Sequence, residues 1–216
     1  MAISKVNFNS LNVTPTASKV LKFNSSNDGL EAGDVGGALV LISEQTASSS
    51  STISFTSGIN STYKEYIFKF IDIHLSTENG DFIFQGSTNS GSSYGVTLTT
   101  TYFQAQQDEA GNNASLQYVA GVDLAQSTSF QKLMRDNSVD NDECNVGTLH
   151  LFNPSSTTFV KHFISTTTSI TSEGDPRCLN AFIAGYFNTT SAIDAIQFKC
   201  TSGNIDAGTI KMYGVT

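Results

Sequence analysis

The stretch Tyr63-Lys64-Glu65-Tyr66-Ile67-Phe68-Lys69-Phe70-Ile71-Asp72-Ile73-His74-Leu75 decides the reading of the fold. In an extended chain successive side chains point to opposite faces. Tyr66, Phe68 and Phe70 therefore share one face, and Ile67, Ile71, Ile73 and Leu75 share the other. Aromatic and β-branched residues fit a pleated surface. With apolar side chains on both faces at its centre, the segment predicts a mid-sheet strand between two layers. Asn79-Gly80 follows as the best hairpin signal in the chain, and Asp81 to Gln85 reads as the returning strand.

Working outward, the same period-two test marks further strands. They are Thr52–Thr56, Val96–Phe103, Thr148–Phe152, Thr158–Ser165, Ala181–Phe187, Ile193–Cys200 and Thr209–Val215. The apolar run Ala38–Ile42 predicts a buried strand. Turns fall at Ser57–Thr62, Asn153-Pro154, Ser172–Pro176 and Ser202–Asn204. Residues 1–35 are polar and broken, with turn signals at Asn27-Asp28-Gly29 and Gly33–Gly37, and predict an extended arm with one or two short strands. Residues 104–147 stand apart as a polar insert. Within it, Ser127–Met134 predicts one short helix, with Thr128 as N-cap and Gln131 completing a capping box. Nine or ten strands with short connections and at most one helix predict an all-β fold, an antiparallel two-sheet β-sandwich of jelly-roll type spanning 36–216.

Composition narrows the function. The chain has 216 residues and a net charge of −8, with charged residues at only 14%, where about 25% is usual. An acidic chain with few Lys and Arg is a poor match for nucleic acid, which is bound through clustered cations. Fifteen Phe and seven Tyr are too much apolar area for a chain that stays solvated. No stretch of about 20 apolar residues predicts a membrane span. The N-terminus lacks the basic start and apolar run of a secretory signal. Cys144, Cys178 and Cys200 show no CxxC spacing, which argues against zinc. They read as free thiols, or as one bridge with one thiol left over.

Little in the sequence points to catalysis. Asp72 and His74 lie two apart on one strand, on one face, yet no nucleophile elbow accompanies them. His150 and His162 also fall in strand patterns. The run Asp136–Glu143 has oxygen ligands at alternate positions, but Asn141 and Gly147 stand where an EF-hand needs Gly and Glu. Glu65 and Asp194 are the weak candidates for a glycosidase pair. Loops rich in Ser, Thr, Asn, Gly and Tyr suit the binding of sugars or proteins, and Tyr94 and Tyr118 are the candidate aromatic contacts.

The segment Ile193 to Val215, closing as Met212-Tyr213-Gly214-Val215, reads as a hairpin. It resembles the C-terminal hairpin of virion proteins from tailed bacteriophages, marine ones especially. The stretch Ile53 to Tyr66, followed by Ser87-Thr88-Asn89-Ser90-Gly91, is similar to the start of the same domain. The resemblance implies a jelly-roll-like fibre or receptor-binding domain on the virion exterior, often trimeric, with no enzymatic activity and no cofactor. It implies assembly in the host cytoplasm, with other virion proteins, further copies of the chain, and a host surface glycan or protein as partners. A tail or head fibre subunit is the first expectation, with residues 1–35 attaching it to the virion. A capsid decoration or cement protein is the second. A polysaccharide depolymerase is the third.

Overall fold

The computed structural model describes residues 19–26, 28–33, 38–172 and 176–216. Residues 1–18 of the expected arm, Asn27, residues 34–37 of the Gly33–Gly37 turn and residues 173–175 of the Ser172–Pro176 turn lie outside them. The chain divides into two units, Met1–Ala38 and Leu39–Thr216. In the first, β1 (Val20–Phe23) pairs antiparallel with β2 (Leu30–Gly33). The Asn24 side chain closes the turn, donating from Nδ2 to Asp28 Oδ1 and accepting at Oδ1 from the Asp28 backbone N–H.

The second unit is antiparallel β throughout, and no described residue is helical. Its strands are β3 (Leu39–Thr46), β4 (Thr52–Phe55), β5 (Glu65–Leu75), β6 (Gly80–Ser87), β7 (Leu98–Asp108) and β8 (Ala114–Tyr118). They continue with β9 (Gln131–Asn137), β10 (Asn145–Phe152), β11 (Lys161–Thr171), β12 (Arg177–Phe187), β13 (Ala195–Cys200) and β14 (Ile205–Val215). Hydrogen bonding runs β3-β14-β5-β10-β11 and on through β12 and β7 to β8. A second run is β9-β6-β13-β4, joined to the first by the residue pair Thr171–Asn137 and by a bridge between Ser50 and Ile205. The twelve strands thus form one sheet that nearly closes on itself, with two layers face to face.

Phenylalanine fills the space between the layers. The Phe198 ring meets Phe55, Phe68, Phe70, Phe82 and Phe84 at centroid distances between 5.2 and 6.3 Å. Phe84 also meets Phe163 of β11 at 5.0 Å, edge to face. Strands of both runs supply these rings, so each layer buries its apolar face against the other.

Several expectations are corrected. Asn79-Gly80 does turn the chain, with Asn79 at positive φ, but it builds no hairpin. β5 pairs with β14 and β10, whereas β6 pairs with β9 and β13, so the turn is an arch from one layer to the other. The C-terminal segment Ile193 to Val215 is likewise an arch, because β13 pairs with β4 and β6 while β14 pairs with β3 and β5. The expected helix at Ser127–Met134 is instead the lead into β9. The carbonyls of Thr128 and Ser129 accept from Gln85 Nε2, and Gln131, fully buried, accepts from the Thr100 hydroxyl at 2.6 Å. These tertiary bonds outweigh a capping box worth about 1 kcal/mol.

β3 is an edge strand, and Leu39, Val40 and Leu41 are exposed, not buried as their apolar run predicts. In β5, Tyr66, Phe68 and Phe70 point into the core as expected, but Ile73 and Leu75 join them while Ile71 is exposed. A bulge causes the change of face: Asp72 sits at positive φ, and Gly208 alone stands opposite Asp72 and Ile73. A side chain at Gly208, itself at φ +113°, would meet the Asp72 carbonyl oxygen at 2.6 Å.

Candidate functional site

β7, β8, β11 and β12 prolong one layer beyond β10. Alternation splits their side chains into two sets. Leu98, Tyr102, Leu179, Ala181, Ile183 and Phe163 go inward and are buried. The outward set is also apolar. Leu116 is 75% exposed, and Tyr118, Phe103, Phe182 and Ile164 are exposed as well.

Strand register assembles these outward residues into rows. Tyr118 lies opposite Phe103, and Phe103 opposite Phe182. The last two rings stack at 5.0 Å with an interplanar angle of 8°. In the next row Thr101, Ala184 and Ile164 stand side by side. This row borders a hollow of about 440 Å³, walled by Phe152 and by the His162–Tyr186 ring pair, whose centroids are 5.7 Å apart. The outward positions of the four strands carry Thr, Ala, Gln, Asn, Cys and Ile170 besides these residues, and no Asp, Glu, Lys or Arg. At the rim the Tyr118 hydroxyl donates to Asp123, and this bond raises the Tyr118 pKa.

Tyr94, the other aromatic contact expected from sequence, stands elsewhere. It is half-buried in the loop between β6 and β7, where it lines a polar hollow with Ser93, Thr97 and Asn188. Its buried hydroxyl has no hydrogen-bond partner. Tyr94 and Tyr118 thus belong to different surfaces. Phe103, Phe182, Leu116 and Ile164 were not singled out by sequence reasoning. For Phe103 and Phe182 the signal is the doublet pattern Tyr102-Phe103 and Phe182-Ile183, where adjacent bulky residues place one on each face.

Most of the candidate chemical groups have a structural partner, whereas Glu143 Oε2 of the acidic run is buried without one among the described residues. Asp72 and His74 do not pair with each other, because the bulge separates them. Cys144 Sγ donates to Asp72 Oδ1 at 3.7 Å, and His74 Nδ1 lies 3.6 Å from Asp206 Oδ2. Burial, and then the Asp72 charge, raises the Cys144 pKa, so the sulfur is held as thiol rather than the nucleophilic thiolate. Glu65 pairs with His150 Nδ1 at 2.6 Å, and Asp194 accepts from the backbone and hydroxyl of Ser90. Asp136 of the acidic run pairs with Arg135 at 2.6 Å. Among the described residues no group of three or more His, Cys, Asp or Glu is placed to hold a metal ion, and no helix is long and apolar enough to cross a membrane. Cys144, Cys178 and Cys200 are free thiols, the last buried.

Leu39–Thr216 is thus an all-β unit whose strands β7, β8, β11 and β12 carry a broad apolar and uncharged outward face. Compared with known proteins, the chain matches no family model, no curated protein and no solved structure.

Proposed function

We propose that this protein is a non-enzymatic structural protein of a bacteriophage virion. It is a tail or head fibre subunit, assembled in the host cytoplasm, that meets the host surface through the outer face of β7, β8, β11 and β12. The observation that carries the reading is the stacked, exposed Phe103–Phe182 pair within an uncharged field. Large exposed apolar patches mark interaction sites. Aromatic rings among Thr, Asn and Gln give stacking area and adaptable hydrogen bonds, the combination that suits glycan and protein surfaces.

We read the fold as a jelly roll. The orders β3-β14-β5-β10 and β4-β13-β6-β9 are what an antiparallel hairpin produces when it is rolled over itself into two four-stranded layers. On this reading β7–β8 and β11–β12 are two hairpins added to one layer, and the added part bears the docking face. Copies of the chain assemble as a homotrimer, which multiplies weak single contacts into avidity.

Binding of purified protein to host cells, with its mass in solution measured alongside, tests the proposal. A trimer that binds cells is expected. A monomer that ignores cells but binds empty capsids and raises their melting temperature overturns the fibre reading in favour of a capsid decoration protein.

A further inference from the structure

Thr97 and Asn188 carry the outward rows of β7 and β12 one step past the strand ends, where the Asn188 N–H donates to the Thr97 carbonyl at 2.7 Å. A hollow of about 370 Å³ lies there, lined by Thr88, Ser93, Tyr94, Thr97, Asn188 and Thr189. It is distinct from the apolar face and adjoins its end. Small-molecule sites are of this size, about 300–1,000 Å³. Among the described residues that line it, none is Asp, Glu, Lys, Arg or His, and Tyr94 is the one ring. The polar groups are held from behind. Ser87, fully buried, donates to Asn89 Oδ1 at 2.7 Å and accepts from the backbone N–H groups of Asn89 and Gly91. Asn89 in turn donates to Ser93 Oγ at 2.9 Å and accepts from the Ser93 N–H. On the other wall Asn188 Nδ2 donates to Gln126 Oε1, and Gln126 Nε2 to Thr99 Oγ1, both at 2.6 Å. Ser93 thus keeps its O–H to donate, and Asn188 keeps Oδ1 to accept. Groups fixed in this way lose little freedom when a ligand binds.

The lack of charge specifies the ligand. An ion finds no counter-charge in the hollow. A sugar ring offers adjacent hydroxyls that each donate and accept, and it suits a wall of Ser, Thr and Asn beside a tyrosine. We propose that this hollow binds an uncharged hexose at the end of a glycan. Asn188 Oδ1 and the hydroxyls of Ser93 and Thr97 bond the hydroxyls of the sugar, and Tyr94 bounds the ring. That this hexose belongs to a host glycan rests on the docking role proposed for the adjoining face, whereas the fit of the hexose to the hollow does not.

Titration of the full chain with glucose, galactose, mannose and N-acetylglucosamine, followed by amide NMR shifts, tests the proposal, with glucuronate and glycerol as controls. At least one hexose is expected to shift the amides of residues 88–97 and 188–189, more tightly than either control and with an affinity that salt does not change. Asn188→Ala and Thr97→Val are each expected to weaken that hexose about three- to tenfold, the net worth of one hydrogen bond, at an unchanged unfolding midpoint. Leu116→Ser, at the far end of the apolar face, is expected to leave its affinity unchanged. No hexose bound, glycerol bound equally well, or unchanged affinity in both Asn188→Ala and Thr97→Val overturns the assignment. Hexose binding by a chain that ignores host cells upholds the hollow and overturns the fibre role, and cell binding by a chain that takes no hexose does the reverse.

Discussion

β6 and β8 are both antiparallel strands, yet all eight residues of β6 are buried and all five of β8 are exposed. β6 has β9 and β13 as neighbours, the phenylalanine core on one face, and on the other the segment pinned by Gln85 to Thr128 and Ser129. Among the described strands β8 has only β7 beside it, and it carries no charge or proline. Exposed sheet edges in soluble proteins are usually guarded by such residues. The contrast separates two duties of one sheet. The strands around Phe198 bury the core, and the strands beyond β10 turn apolar side chains outward as well as inward.

The largest effect is expected at the centre. Phe198→Ala removes the ring that five others contact, and should cost about 3–5 kcal/mol, read as a lower midpoint in chemical denaturation. Gly208→Ala comes next. It forces a side chain onto the Asp72 carbonyl at a strained backbone angle, and about 1–3 kcal/mol of destabilisation is expected. An unchanged midpoint would mean that the bulge in β5 is not constrained by Gly208.

Cys200 sharpens the contrast through pH. Burial pushes its thiol pKa from 9.0 up to about 12. The unfolded chain therefore releases this proton at lower pH than the folded one, and stability falls as pH rises through 9 and levels off near 12. By pH 10 the loss should be about 1.4 kcal/mol. Cys200→Ala should remove that slope, whatever its effect at neutral pH, while exposed Cys178 should react with thiol reagents in the native protein ahead of Cys144, whose pKa is raised.

The strands were legible in the sequence because alternation is local. Tyr66, Phe68 and Phe70 face inward as their spacing requires. Strand partners were not legible, since Asn79-Gly80 encodes a reversal of direction and not the neighbour that the next strand will choose. The Ser127–Met134 segment misled for the same reason: its capping pattern is local, and the bonds of Gln131 to Thr100 and Val122 are distant in sequence. Of the proposed docking face, only Tyr118 is marked by the sequence. Phe103 and Phe182 become one surface only when β7 and β12 pair in register.

On the proposed function the outer face acts without supporting the fold. Phe103→Ser combined with Phe182→Ser tests it most directly, with host-cell binding and the unfolding midpoint measured on the same preparation. Lost binding with a stability change of about 1 kcal/mol or less is expected. Full binding in the double variant, or collapse of the fold with the loss of these two rings, would contradict it.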